Sequence, residues 1–184
     1  MHLKRFLSIV IAGLFVAAHA QSQSSFWRDS AGKPIAETES MKSKNDFAGS
    51  LLATTDEDWE KKWKTPPETK PNFNKAGTVP YGKKIFILSF FANPKLDQLG
   101  NANVRCDLQI SSPTGKFALS QKDMVCFFGK IKGSLYNMYL SAPVIAFSGD
   151  PGDPPGVWVV EVLLRDRVRN VNLALRTSFE LKQQ

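Results

Sequence analysis

Side chains that commonly carry chemistry are scarce in this chain of 184 residues. Both histidines, His2 and His19, fall within the first twenty positions, so a chain that loses that stretch keeps none. Without imidazole there is no Ser-His-Asp or Cys-His relay, and the usual zinc, copper or iron ligands are missing. No G-x-S-x-G elbow, complete P-loop or glycine-rich dinucleotide fingerprint occurs either. The two cysteines, Cys106 and Cys126, are not a C-x-x-C pair, and each lies in a strand-like run. In an oxidising compartment such a pair reads as one structural disulfide, contributing about 3 kcal/mol by restricting the unfolded chain. A metal or cofactor role is not expected.

Carboxylate chemistry is what remains. A two-acid glycan hydrolase needs two Asp or Glu facing each other across a groove. Asp150 and Asp153 share one Pro-Gly loop, and Asp97, Asp107 and Asp123 are spread over others, so no pair stands out. Asp150 and Asp153 could offer oxygens to calcium, but capping their own turn is the simpler expectation. Arg165, Arg167 and Arg169 sit at the expected tip of the last hairpin, where they are either solvated or face an acidic partner or phosphate. Trp59 and Trp63 are four apart and share a helix face. They could stack on a sugar, but stapling the helix to a sheet is the expected role.

The elements that must position these groups begin after a leader. Lys4 and Arg5 precede an uncharged apolar run, Leu7 to Ala17, and Ala18-His19-Ala20 supplies small residues at a signal-peptidase site. Cleavage after Ala20 is expected, giving a periplasmic or secreted protein with no stable membrane insertion. An uncleaved anchor helix is the alternative. Removal leaves 22 cations against 17 acids, an excess of five. The cations are interspersed with acids, which argues against nucleic acid as a partner.

Residues 21–46 read as a loosely ordered arm whose Phe26-Trp27 pair docks on the body. Residues 47–184 read as one domain. A helix is expected over about 56–64, with Thr55 as N-cap, acids in its first turns, lysines in its last and Pro66-Pro67 as its stop. Strands are expected at Phe47–Thr54, Lys84–Ala92, Val104–Ser111, Lys116–Gln121, Asp123–Ile131, Met138–Ser148, Val157–Asp166 and Val171–Lys182. The pattern predicts a mainly β fold, an antiparallel immunoglobulin-like β-sandwich of about seven strands with one short N-terminal helix. A small barrel is the alternative.

The stretch Gly156-Val157-Trp158-Val159-Val160-Glu161-Val162, entered from a Pro-Gly-rich loop, resembles the penultimate strand of immunoglobulin- and macroglobulin-like modules. More of the chain resembles a family of short exported Gram-negative proteins. The matching features are Asp56-x-Asp58-Trp59-x-x-Lys62-Trp63, Phe91-Ala92-Asn93-Pro94, Cys106-Asp107, Asp123-x-x-Cys126 and Gly152-Asp153-Pro154-x-Gly156-x-Trp158. That resemblance implies a periplasmic location and brings no activity or catalytic residues with it. The expected function is therefore a non-catalytic binding module that contacts a protein partner through a sheet edge or through loops at 93–101, 149–156 and 165–170. A variant is an inhibitor or immunity protein of a secreted or periplasmic enzyme. The competing class is a carboxylate-only glycan hydrolase with the two tryptophans lining its groove.

Overall fold

The computed structural model describes residues 26–29, 31–65 and 71–183. The leader at 1–20, its cleavage point and the Pro66-Pro67 stop lie outside the described residues. In chain order the elements are β1 (Met41–Lys44), β2 (Phe47–Thr54), α1 (Trp59–Trp63), β3 (Thr78–Pro80), β4 (Lys84–Ala92), β5 (Asn101–Ser111), β6 (Phe117–Lys130), β7 (Tyr139–Leu140), β8 (Ile145–Ser148), β9 (Gly156–Asp166) and β10 (Val171–Lys182). The fold is mainly β, as the sequence predicts, and its strands form two sheets in a sandwich-like arrangement. One sheet runs β1-β2-β4, with β7 and β8 both pairing along the far side of β4. The other runs β3-β10-β9-β5-β6.

Alternation dictates which face is buried. In β5 the even residues from Ala102 to Ile110 are buried and the odd ones are not, and β10 alternates without a break. The inward rows meet β2 and β4 in one core built around Trp158, which stacks on Phe179 and packs against Phe147 at 5.1 Å. The sheets approach so closely at Gly49 that an added Cβ would lie 2.8 Å from Leu164 Cδ1. Between β5 and β6 the Cys106–Cys126 disulfide is buried, its Cα atoms 5.8 Å apart. It ties neighbouring strands of one sheet rather than joining the two sheets.

The sandwich is stitched along both sides by single backbone hydrogen bonds. The Arg176 N–H on β10 donates to the Glu39 carbonyl beside β1 at 2.8 Å. On the opposite side, the Ser141 N–H donates to Ser89 of β4 and the Ala142 N–H to Cys126 of β6, both at 2.9 Å.

The strand expected at Met138–Ser148 is instead the short β7 and β8, the one expected from Val104 begins at Asn101, and three further differences have identifiable reasons. The strand β1 lies inside the segment read as a loose arm, because Met41–Lys44 pairs with Phe47–Ser50 through a tight turn at Asn45 and Asp46, both at positive φ. The two strands expected at 116–121 and 123–131 are one strand, β6. Asp123 adopts φ 51 and its N–H donates to Asp107 Oδ1 at 2.7 Å, so the ladder passes through a bulge and continues. The helix starts at Trp59 rather than near 56, because Asp56 is engaged elsewhere: its carboxylate accepts the Asn74 N–H and Nδ2–H, each at 2.8 Å, and pairs with Lys62.

Candidate functional site

The tryptophans act as staples. Trp59 packs on Phe86 at 6.1 Å and Trp63 on Phe90 at 5.1 Å, while Phe73 reaches Phe90 from the segment after the helix. Phe86 and Phe90 lie on the face of β4 turned away from the main core, where Leu88 is fully buried. The helix thus roofs the first sheet, and both indoles are half-buried against it.

The Asp150–Asp153 loop is a capped turn. Asp153 Oδ2 accepts the Asp150 N–H at 2.9 Å, and the Asp153 N–H donates to the Asp150 carbonyl. The loop is also held from below, since Tyr81 Oη–H donates to the Asp153 carbonyl and Trp158 Nε1–H to the Pro154 carbonyl. Among the described residues no group of three or more His, Cys, Asp or Glu could hold a metal ion.

The arginines divide into two structural clamps and one free tip. Arg165 grips Asp107 on the neighbouring strand with both Nη groups, which holds the Asp107 carboxyl below its ordinary pKa. Arg169 turns inward. It donates to the Asn45 carbonyl at 2.8 Å and the Asn93 carbonyl at 3.0 Å, and its Nε lies 3.4 Å from Asp166 Oδ2. Asp166 is 1% exposed, and it also accepts the backbone N–H groups of Lys95, Val168 and Arg169. Three loops converge on this one ion pair. Of the three, Arg167 is the exposed one, and among the described residues only its backbone N–H is engaged, to Asn103. The three do not form one cationic cluster.

Sequence reasoning missed a row of apolar side chains along β6. Phe117, Val125 and Phe128 are 53%, 50% and 66% exposed, and they stand opposite Ser111, Arg105 and Asn103 on the outer face of β5. Leu119, Met124 and Phe127 of the same strand point the other way and pack on the core. The available signal was the run Met124-Val125-Cys126-Phe127-Phe128. Consecutive apolar residues on a strand with one covered face must leave some of them outside.

Beside this row lies a shallow trough of about 510 Å³ on the outer face of the second sheet. Its floor includes Leu163 and Ala174, and its walls include Glu161, Arg176 and Lys122. Arg176 bridges Glu39 at 3.3 Å and Glu161 at 3.8 Å across one side.

No family model matches the chain, and no curated protein matches it. Solved structures to which it is similar include the Pseudomonas fluorescens alkylpurine DNA glycosylase AlkC bound to DNA containing an abasic site analogue. That match has 18% identity and a TM-score of 0.37 over 58% of this chain. A family 123 glycoside hydrolase from Clostridium perfringens matches 74% of the chain at 9% identity, with a TM-score of 0.40. The chain spans 28% of the length of each of these two. A Niemann-Pick type C2 protein from the Japanese carpenter ant matches over 72% of this chain and 89% of its own, at 8% identity and a TM-score of 0.35.

Proposed function

We propose that the chain is a non-catalytic, exported protein of the bacterial cell envelope that binds a protein partner through the β6 side of its second sheet. The apolar row Phe117, Val125 and Phe128 carries this reading. Exposed aromatic and aliphatic side chains aligned on an edge strand cost solubility, and a partner that covers them removes that cost. The loops expected to make the contact support it less, since Arg165, Arg169 and Asp153 are engaged in holding the fold. Export is supported by the leader-like residues 1–20 and by the buried disulfide. No helix among the described residues is long and apolar enough to cross a membrane.

The test is capture from periplasmic extract on the immobilised protein, with Phe117→Glu and Phe128→Glu variants run beside it. One protein retained in stoichiometric amount by the parent and lost by variants of unchanged circular dichroism supports the reading. Equal retention by the variants, or turnover of a glycan by the purified protein, overturns it.

A further inference from the structure

We infer that the open edge of β6 at Phe117–Gln121 takes an extended, acidic strand from the partner, added to the second sheet by backbone hydrogen bonds. This inference rests on the binding reading above and names the chemistry of what is bound. The phase of the ladder is the first observation. The Arg167 N–H donates to the Asn103 carbonyl, which fixes the odd residues of β5 as those that bond toward β9. Its even residues then bond toward β6, and the β6 residues opposite them are Leu119, Gln121, Met124, Phe127 and Gly129. The β6 residues opposite the odd positions, Phe117, Ser120, Val125, Phe128 and Lys130, therefore turn N–H and C=O away from β5. These are the residues whose side chains lie on the outer face. One strip of the molecule thus presents unpaired backbone groups together with exposed apolar side chains.

The second observation is where that strip is already covered. The Ala142 N–H occupies the Cys126 carbonyl, so the edge is closed near the disulfide. Toward the Phe117 end, no strand among the described residues pairs with the outer side of β6, and β8, the facing end of the first sheet, pairs only with β4. Phe147 of β8 packs on Trp158 and Phe179, so β8 lies level with this stretch of β6. The gap between the two sheets on this side has room in its hydrogen-bonding pattern for one more short strand.

Charge decides which strand. The segment from Lys116 to Lys132 carries four lysines and one acid, Asp123. Lys116, Lys122 and Lys130 are exposed, and none forms an ion pair with a described residue. The acids on the adjoining face have closer partners, Asp107 in Arg165 and Glu161 in Arg176, and the Lys122 charge reaches Asp107 only from beyond ion-pair distance. Of these lysines, Lys116 and Lys122 flank the open stretch Phe117–Gln121, so an incoming strand of mixed apolar and acidic residues would set an apolar side chain against Phe117 and its acids toward those two.

The probes are fluorescent octapeptides titrated into the purified oxidised protein: alternating Asp and Val, alternating Lys and Val, and the acidic peptide with a central proline. The acidic peptide is expected to bind, at least about tenfold more tightly than the basic one, and to weaken with salt. The proline version should bind at least about tenfold more weakly, because the ring removes a ladder donor. Lys116→Glu combined with Lys122→Glu should reverse the preference between acidic and basic peptides. Hydrogen exchange should show new protection at the Phe117 and Ser120 amides. Equal binding of acidic and basic peptides, insensitivity to proline, protection confined to other segments, or no binding at about millimolar peptide each overturns the inference. Failure here alongside capture of a β6-dependent partner removes the acidic strand and leaves the binding reading. Peptide binding without any captured partner does the reverse.

Discussion

Replacing Asp166 by Ala should be among the most damaging single changes in the molecule, although it lies in a segment that reads as a solvated hairpin tip. The carboxylate accepts backbone N–H groups from Lys95 at 2.8 Å, Arg169 at 2.9 Å and Val168 at 3.1 Å, and it balances the Arg169 guanidinium. Its loss leaves three donors and a half-buried cation without acceptors, and the Arg169 bonds to Asn45 and Asn93 lose their anchor. Breaking a buried pair from one side costs about 3–5 kcal/mol, a large share of the roughly 5–15 kcal/mol that holds a domain together. With a urea slope of about 2 kcal/mol per molar, the midpoint should fall by roughly 2 M in a tryptophan-fluorescence titration. Asp166→Asn should fall between Ala and the parent, since an amide can still accept at Oδ1 but faces the Lys95 N–H with a donor. Arg167→Ala, one residue away and exposed, should stay within about 0.5 kcal/mol. If Asp166→Ala shifts the midpoint no more than Arg167→Ala does, the convergence of three loops on this carboxylate has been misjudged.

Three further outcomes follow from particular contacts. Burial works to raise the Asp56 pKa, but hydrogen bonds from Lys62 and Asn74 outweigh it and hold it at about 2, below its ordinary 3.8. A depressed folded-state value stabilises above the unfolded pKa, so stability should fall as pH drops from about 4 toward 2, and Asp56→Asn should flatten that slope in acid titrations. Replacing Cys106 and Cys126 together by Ser should cost about 2–4 kcal/mol of unfolding free energy in a urea titration, and denatured, unreduced parent should show no alkylatable thiol by mass spectrometry. Trp59→Ala with Trp63→Ala should release the helix from β4 and raise binding of a hydrophobic dye, while far-ultraviolet dichroism stays β-rich. A cooperative loss of the strands instead would mean that the helix is integral to the sandwich.

How far the sequence reveals all this depends on the distance over which each feature is decided. The strands at Phe47–Thr54, Lys84–Ala92 and Val171–Lys182 are legible to the residue, because burial of one or both faces writes a period of two or an unbroken apolar run. The disulfide is legible from cysteine arithmetic. The helix start is not, because Thr55 and Asp58 offer good local capping while the competing partner of Asp56, Asn74, lies eighteen residues away. Arg165 and Arg169 look alike in sequence, and only the register of β9 against β5 brings Asp107 under the first. The strand expected at Met138–Ser148 is two short ones, and short pairings such as Met41–Lys44 and Thr78–Pro80 leave no periodic trace, which is why ten strands stand among the described residues where about seven are expected. The row on β6 is the hardest to see. Being an edge is a property of the strand order, and nothing in Phe117 or Phe128 announces which strand will have no neighbour.

The most direct test is site-specific photocrosslinking in cells of the producing bacterium, with benzoylphenylalanine installed in turn at Ser120, Phe128, Asp153 and Arg167. A discrete higher-mass adduct containing the same second protein is expected from Ser120 and Phe128 and none from Arg167, while Asp153, which shares a cavity with Lys116 and Phe117, should crosslink only where the partner reaches that end of β6. Adducts from Asp153 or Arg167 with silence at Ser120 and Phe128 would contradict it.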